Sequence, residues 1–287
     1  MSAHHTPERG NTSRAVTPPP IPSKTLFLVH QLPELGEQQL RESLDRATRD
    51  DCDIRHLYQV VVDSIRLNKV SLVKELLRCG MPISPTYVLE AVKAKAKDIL
   101  TILFDNGWDI NTQMGGMEPP ILANALEDSE MTIWLLNHGA GPNKRCDIDN
   151  TPLSYAVRYA DISSIDLLLR RGGDVRIGQL VHNAIYRESD TLKVVKLLVD
   201  RGAPLNSLMY EDHQYSRNMF PFMKETPLHT AVALKRGDVI RYLIHKGASV
   251  EIEDCSGQTV IQSADRDTRR VIMQEIQKGT GTLHASL

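Results

Sequence analysis

The chain has 287 residues, 41% hydrophobic, 24% charged and only 5% aromatic, with a formal net charge of −2. That balance suits one or two ordinary domains or one repeat array, and it gives no general attraction to nucleic acid or to an anionic membrane. No apolar stretch approaches membrane-spanning length, and Cys52, Cys79, Cys146 and Cys255 are too dispersed for a zinc site or a redox pair. Free thiols in a reducing compartment, cytoplasmic or nuclear, are expected.

Residues 1–24 hold five of the chain's 15 prolines and almost no large apolar residue, so a disordered leader is expected there. Within it, Thr6 and Thr17 precede prolines and are candidate modification sites for a proline-directed phosphate; a solvated leader is the plainer reading. The apolar run at 26–29 is too short for a signal peptide. Residues 25–58 form an N-terminal capping region, with a helix from Glu37 to Arg49 carrying Leu40, Leu44 and Ala47 on one face. Such a helix covers the outer apolar face of a first repeat, either as a cap or as a worn-down extra repeat.

From about residue 59 a period sets in. A helix-stopping glycine recurs at Gly80, Gly107, Gly139, Gly172, Gly202 and Gly247. A doublet of large apolar residues precedes each one: Leu76-Leu77, Ile102-Leu103, Leu135-Leu136, Leu168-Leu169, Leu197-Leu198 and Leu243-Ile244. The last interval is longer than the others and contains an insertion at 206–225. The best-preserved unit, residues 226–259, reads TPLHTAVALKRGDVIRYLIHKGASVEIEDCSGQT. Pro227 suits a first helical position, and Leu228, Ala231 and Val232, then Val239, Ile240, Leu243 and Ile244, make two helical stripes. The opening motif decays toward the N-terminus: Thr151-Pro152-Leu153 with Ala156 keeps it, Val181-His182 with Ala184 keeps part, and Pro120, Leu122 and Ala125 keep a trace. Thr259 and Ala264 begin a further unit with a charged surface, expected to stop at Gly279 as a C-terminal cap and to be followed by a disordered tail at 280–287.

Thr226, Pro227, Leu228, His229 and Ala231, at a period of about 33 residues, resemble the signature of an ankyrin repeat. The resemblance implies an all-α repeat solenoid, an array of about six helix-turn-helix repeats over 59–279 with terminal caps and β-hairpin-like loops. It also implies structural roles for His229 and His182, and a concave groove lined by hairpin tips and first helices. The function implied is a non-enzymatic protein–protein interaction scaffold or adaptor, monomeric, binding one or more proteins. Asn111, in Leu103-x5-Asp109-Ile110-Asn111, matches the pattern hydroxylated in many ankyrin domains; its plain reading is a turn asparagine.

The insertion departs from the pattern. It holds Tyr210, Tyr215, Phe220 and Phe222, together with Met209, Met219, Met223 and Arg217, types enriched in binding hot spots. Either these residues meet a partner or they fold back on the array. Candidate partner-binding residues are therefore Tyr210, His213, Tyr215, Arg217, Phe220 and Phe222, with Lys144, Arg145 and Glu253 on neighbouring hairpin tips and Thr112, Gln113 and Met114 on a third. An alternative is an enzyme or small-molecule pocket under the insertion, using Asp212, His213 and Tyr215. An adaptor of a ubiquitin-ligase or transcription complex is a subtype of the first reading. Glu211, Asp212 and His213 make a poor metal set, because three consecutive residues rarely converge on one ion. No phosphate-binding glycine loop, His-Glu-x-x-His or Gly-x-Ser-x-Gly occurs, so no catalytic, cofactor or metal site is expected. Basic residues are scattered over several repeats, with no net-basic stripe for a nucleic acid.

Overall fold

The structure, a computed structural model, describes residues 35–49 and 53–284; the expectations for the leader, including Thr6 and Thr17, lie outside it. Helix α1 (Glu37–Arg49) buries the expected stripe of Leu40, Leu44 and Ala47. A 3-10 turn (Ile54–Leu57) then leads into a series of paired helices. The pairs are α2 (Tyr58–Arg66) with α3 (Val70–Arg78), and α4 (Pro85–Lys93) with α5 (Lys97–Asp105). In the third pair a 3-10 turn (Ile121–Asn124) replaces the first helix and precedes α6 (Ser129–Asn137). Next come α7 (Pro152–Tyr159) with α8 (Ile162–Arg170), and α9 (Leu180–Ile185) with α10 (Thr191–Val199). After the insertion and its short helix α11 (Gln214–Met219) comes the sixth pair, α12 (Pro227–Ala233) with α13 (Gly237–His245). The array closes with α14 (Val260–Ser263) and α15 (Arg266–His284). Helix α1 packs on α3, where the second helix of a preceding repeat would lie. One short antiparallel hairpin, β1 (Gln113–Gly115) and β2 (Glu118–Pro120), pairs Gln113 with Pro120 and Gly115 with Glu118.

Each second helix ends by one device. All six expected glycines take a left-handed conformation, with φ between +88° and +97°. The residue after each glycine donates its N–H to a carbonyl five residues back, as Met81 does to Leu76 (3.1 Å) and Ala248 to Leu243 (2.9 Å). The glycine itself donates to the next carbonyl, as Gly80 does to Leu77 (2.9 Å). This is the Schellman closure. The residue whose carbonyl takes the longer bond, Leu76, Leu103, Leu135, Leu168, Leu198 or Leu243, has no exposed surface. One member of every doublet thus caps the helix and fills the core at once. At the end of the array the outcome differs. Gly279 lies inside α15, which runs on to His284, so the segment expected to be tail begins helical. A mid-helix glycine costs only about 1 kcal/mol, so the helix can continue through it.

The first helices start by hydroxyl capping where the motif survives. Thr151, Thr226 and Thr259 each form a capping box, satisfying N–H groups that have no partner inside the helix. The fourth motif position reaches the next repeat. His229 Nε2 donates to the Gln258 carbonyl (3.2 Å), which leaves Nδ1 to accept from Thr226 Oγ1 (2.8 Å). His182 Nε2 donates to the Glu225 carbonyl (3.0 Å). In the fourth repeat Ser154 takes the histidine's place and donates to the Gly178 carbonyl (2.7 Å). The serine is shorter, so the next loop must come closer; a β-carbon on Gly178, whose φ is +82°, would fall on Ser154 Oγ.

The apolar interior divides in two. One cluster runs from Leu40 to Ala140 and the other from Leu126 to Ile272. The division falls after the third repeat, whose first helix has shortened. Polar contacts cross it: Ser164 Oγ donates to the Leu126 carbonyl (3.0 Å) and Gln113 Nε2 to Asp147 (2.8 Å).

Candidate partner-binding site

The insertion is tied down at its base and at its middle. Met209 N–H donates to the Glu225 carbonyl (2.8 Å), closing the loop on itself. Its helix α11 starts with His213 as N-cap, whose Nδ1 accepts from the Ser216 N–H (3.2 Å) and hydroxyl (2.8 Å). The same hydroxyl accepts the backbone N–H of Asp149 (2.9 Å), 67 residues earlier. Ser216 is fully buried. One serine hydroxyl therefore fastens the insertion to the hairpin tip two repeats back. Asp149 is itself buried, with Arg145 Nε on one oxygen and Gln179 Nε2 on the other (2.7 Å). At the far end, Cys255 Sγ donates to the Phe222 carbonyl (3.2 Å), which joins the insertion to the tip that carries Glu253.

The aromatic residues of the insertion divide between the two readings. Tyr210, in a left-handed backbone conformation, stacks on Phe220 with ring centres 5.5 Å apart. Burial pushes the Tyr210 hydroxyl above its ordinary pKa. Tyr215 (51% exposed), Met219 and Phe222 (86% exposed) face solvent. Arg217 is exposed and bonds within its own helix to Gln214. Lys144 and Glu253 are exposed at their tips, and Arg145 is engaged with Asp149. Asn111 bridges neighbouring hairpins: its Nδ2 donates to the Gly139 carbonyl (3.1 Å) and its Oδ1 accepts from Gly141 N–H (2.8 Å). Asn143 repeats the bridge with Gly172 and Asp174, so the asparagine supports the stack of hairpins.

A cleft of about 440 Å³ opens between the insertion and the first helices of the fourth and fifth repeats. Tyr155, Arg158 and Tyr159 line it from α7, Asn183 from α9 and Tyr186 from its end; Met209, Tyr210 and Met223 line it from the insertion, and Met117 from the β1–β2 turn. Arg158 lies over the ring of Tyr186 (4.8 Å) and near that of Tyr159 (5.5 Å). Sequence reading passed over this group. Tyr155 and Tyr159, four apart on the outer face of α7, were the available signal. No local pattern could have paired Ser216 with Asp149.

Asp212, His213 and Tyr215 do not gather in this cleft. Asp212 borders, with Glu211, a different crevice of about 20 Å³, roughly the space of one water. His213 turns inward to cap α11 and Tyr215 faces out. Among the described residues, no three His, Cys, Asp or Glu side chains are placed to hold a metal ion, and no helix is long and apolar enough to cross a membrane. Cys146 and Cys255 are free thiols.

Two family models match the chain: one for ankyrin repeats in three copies at residues 62–179, and one for a single ankyrin repeat at 223–255. Neither covers 180–222, the fifth repeat and most of the insertion. A fowlpox virus (strain NVSL) protein described as an ankyrin repeat protein is 26% identical over 196 residues, 60% of this chain and 27% of that protein. The BRCA1-associated RING domain protein 1 of Caenorhabditis elegans is 33% identical over 82 residues, 29% of this chain and 10% of that protein. Alpha-latrocrustotoxin-Lt1a of Latrodectus tredecimguttatus is 30% identical over 125 residues, 43% of this chain and 8% of the toxin. The chain thus spans well under a third of each of these relatives. Among solved structures, the ankyrin repeat domain of human ASB11 aligns with a TM-score of 0.51 at 18% identity, covering 75% of this chain and 96% of that one. The ankyrin repeat domain of Bcl-3 aligns with a TM-score of 0.52 at 20% identity, covering 76% and 97%.

Proposed function

The chain is an ankyrin repeat protein, and on that premise we propose that it is a non-enzymatic scaffold gripping one or more partner proteins along the concave side of repeats four to six, with the insertion as one wall of the grip. Ankyrin repeats are generally protein–protein interaction modules. The observation that carries the site is the fastening of Ser216 to Asp149, which fixes the insertion while Tyr215 and Phe222 stay exposed. Rigid aromatic anchors lose little entropy on binding. Lys144, Arg145 and Glu253 belong to the polar rim of the same surface. The remaining parts of this reading are a monomer in the cytoplasm or nucleus that binds no nucleic acid. An adaptor role in a ubiquitin-ligase or transcription complex would use the same face.

The enzymatic alternative finds no support in the positions of Asp212, His213 and Tyr215, which point three ways. The test is affinity purification from the native cell with the full chain and with Tyr215→Ala/Phe222→Ala. Both side chains are exposed, so the melting temperature stays unchanged. Loss of co-purifying proteins supports the reading; an unaltered partner set at equal expression refutes it.

A further inference from the structure

The cleft beside the insertion has a charge that no carboxylate among the described residues answers. Only two of its lining residues are of charged type, Asp149 and Arg158. Asp149 is spent on Arg145 and Gln179. Arg158 meets only the faces of Tyr159 and Tyr186, and among the described residues no carboxylate pairs with it. Several basic residues on or just after the neighbouring second helices are answered by a carboxylate: Arg170 and Arg201 share Asp166, Lys193 holds Asp190 and Lys246 holds Asp200. A half-buried guanidinium whose carbon lies against two tyrosine rings keeps its N–H fork for a planar acceptor. Beside it lies apolar surface that is partly open: Tyr155, Tyr159 (63% exposed), Met117 and Met223. Methionine and tyrosine adapt to aromatic or branched aliphatic side chains.

Resting on the scaffold reading above, we propose that this cleft receives a linear segment of a partner protein in which an Asp or Glu lies next to a large apolar residue. The carboxylate forks onto Arg158, and the apolar side chain packs among Tyr155, Tyr159, Met117 and Met223. Charge selects the segment and apolar burial supplies most of the affinity. The pairing excludes basic segments, which would leave Arg158 facing a like charge.

A library of random linear peptides, displayed and selected against the immobilised full chain, tests the assignment. The wild type should recover peptides enriched in Asp or Glu beside Phe, Tyr, Leu or Met. Arg158→Glu should invert the charge preference to Lys or Arg while keeping the apolar partner. Arg158→Gln should weaken the wild-type peptides by about tenfold or more, the usual cost of removing one partner of a desolvated charge pair. Melting temperatures of the variants establish that they fold. Recovery of the same peptides by wild type and Arg158→Glu, or of peptides without acidic enrichment, overturns the carboxylate assignment and leaves the scaffold reading standing. Recovery of no peptide by any folded form overturns the linear-segment assignment, while the co-purification comparison above decides the scaffold reading separately.

Discussion

Repeats one to three and repeats four to six share the glycine stops and the buried leucines but differ in how their inner helices hold one another. In the later repeats the fourth motif position is Ser154, His182 and His229, and each donates to a carbonyl of the following loop. In the earlier ones the same position is Val60, Tyr87 and Ala123, all buried, and neither Val60 nor Ala123 has a group to donate. There the polar links are ionic. Between the inner helices α2 and α4, Glu90 takes Arg66 (2.7 Å) and Lys93 (3.2 Å), and on the outer side Glu75 of α3 takes Arg41 of α1 (2.8 Å) and Arg78 (2.6 Å). The core also divides where the ladder of donors begins. The same packing of helices is thus secured by two chemistries, one neutral and directional, the other charged and screened.

The strongest way to break this contrast is His229→Ala. It removes a buried donor and acceptor and leaves a void, for an expected loss of about 2–4 kcal/mol. Hydrogen exchange should quicken through α12–α15 and leave α2–α5 unaltered. Equal acceleration in both halves would mean that the divided core has no energetic counterpart.

Acid separates the halves more gently. Burial holds the His182 imidazole down at about 4 in the folded chain, against about 6.5 when unfolded. Between those pH values only the unfolded chain takes up the proton, so stability falls as pH drops from about 6.5 to about 4. Near pH 5 the loss is about 2 kcal/mol, and His182→Asn should remove it. Glu75 and Glu90 behave otherwise. Arginine hydrogen bonds hold both carboxyls below their ordinary range, working against desolvation. Their contribution persists through that window and is lost only as pH falls through the lowered values. Denaturation followed at both pH values, with exchange read for each half, checks the order.

The smallest effect is expected at Glu90→Gln. Arg66 and Lys93 are more than half exposed and return to water when the charge is removed, so the cost is about 1 kcal/mol or less and shrinks at high salt. A larger, salt-independent loss would put the earlier half in the same class as the later one.

The glycine period, the apolar doublets and the motif at 226–231 were legible because each is local: a left-handed turn needs glycine, and a buried stripe needs spacing. The wearing-away of the motif was legible too, but its meaning was not. That the chain of donors stops at Ala123 is visible only when Ser154 and Gly178 are seen together. The insertion was legible as a break in period, and its aromatic content marked it. Which of its rings turn inward depends on Ser216 finding Asp149 through folded space. Arg158 looked like ordinary helix surface, since the lack of a carboxylate partner among the described residues shows only when Asp149 is seen bonded to Arg145 and Gln179.

The six helix-ending glycines have nothing within 4 Å of the place a β-carbon would occupy. What each provides is the sign of φ and not room. An alanine at any of them would therefore incur the same backbone strain, on the order of 1–2 kcal/mol, with no collision added. The row amounts to a set of matched weights, one for each repeat. Hung singly, they would weigh the repeats against one another, because any difference in response belongs to the neighbours and not to the substitution.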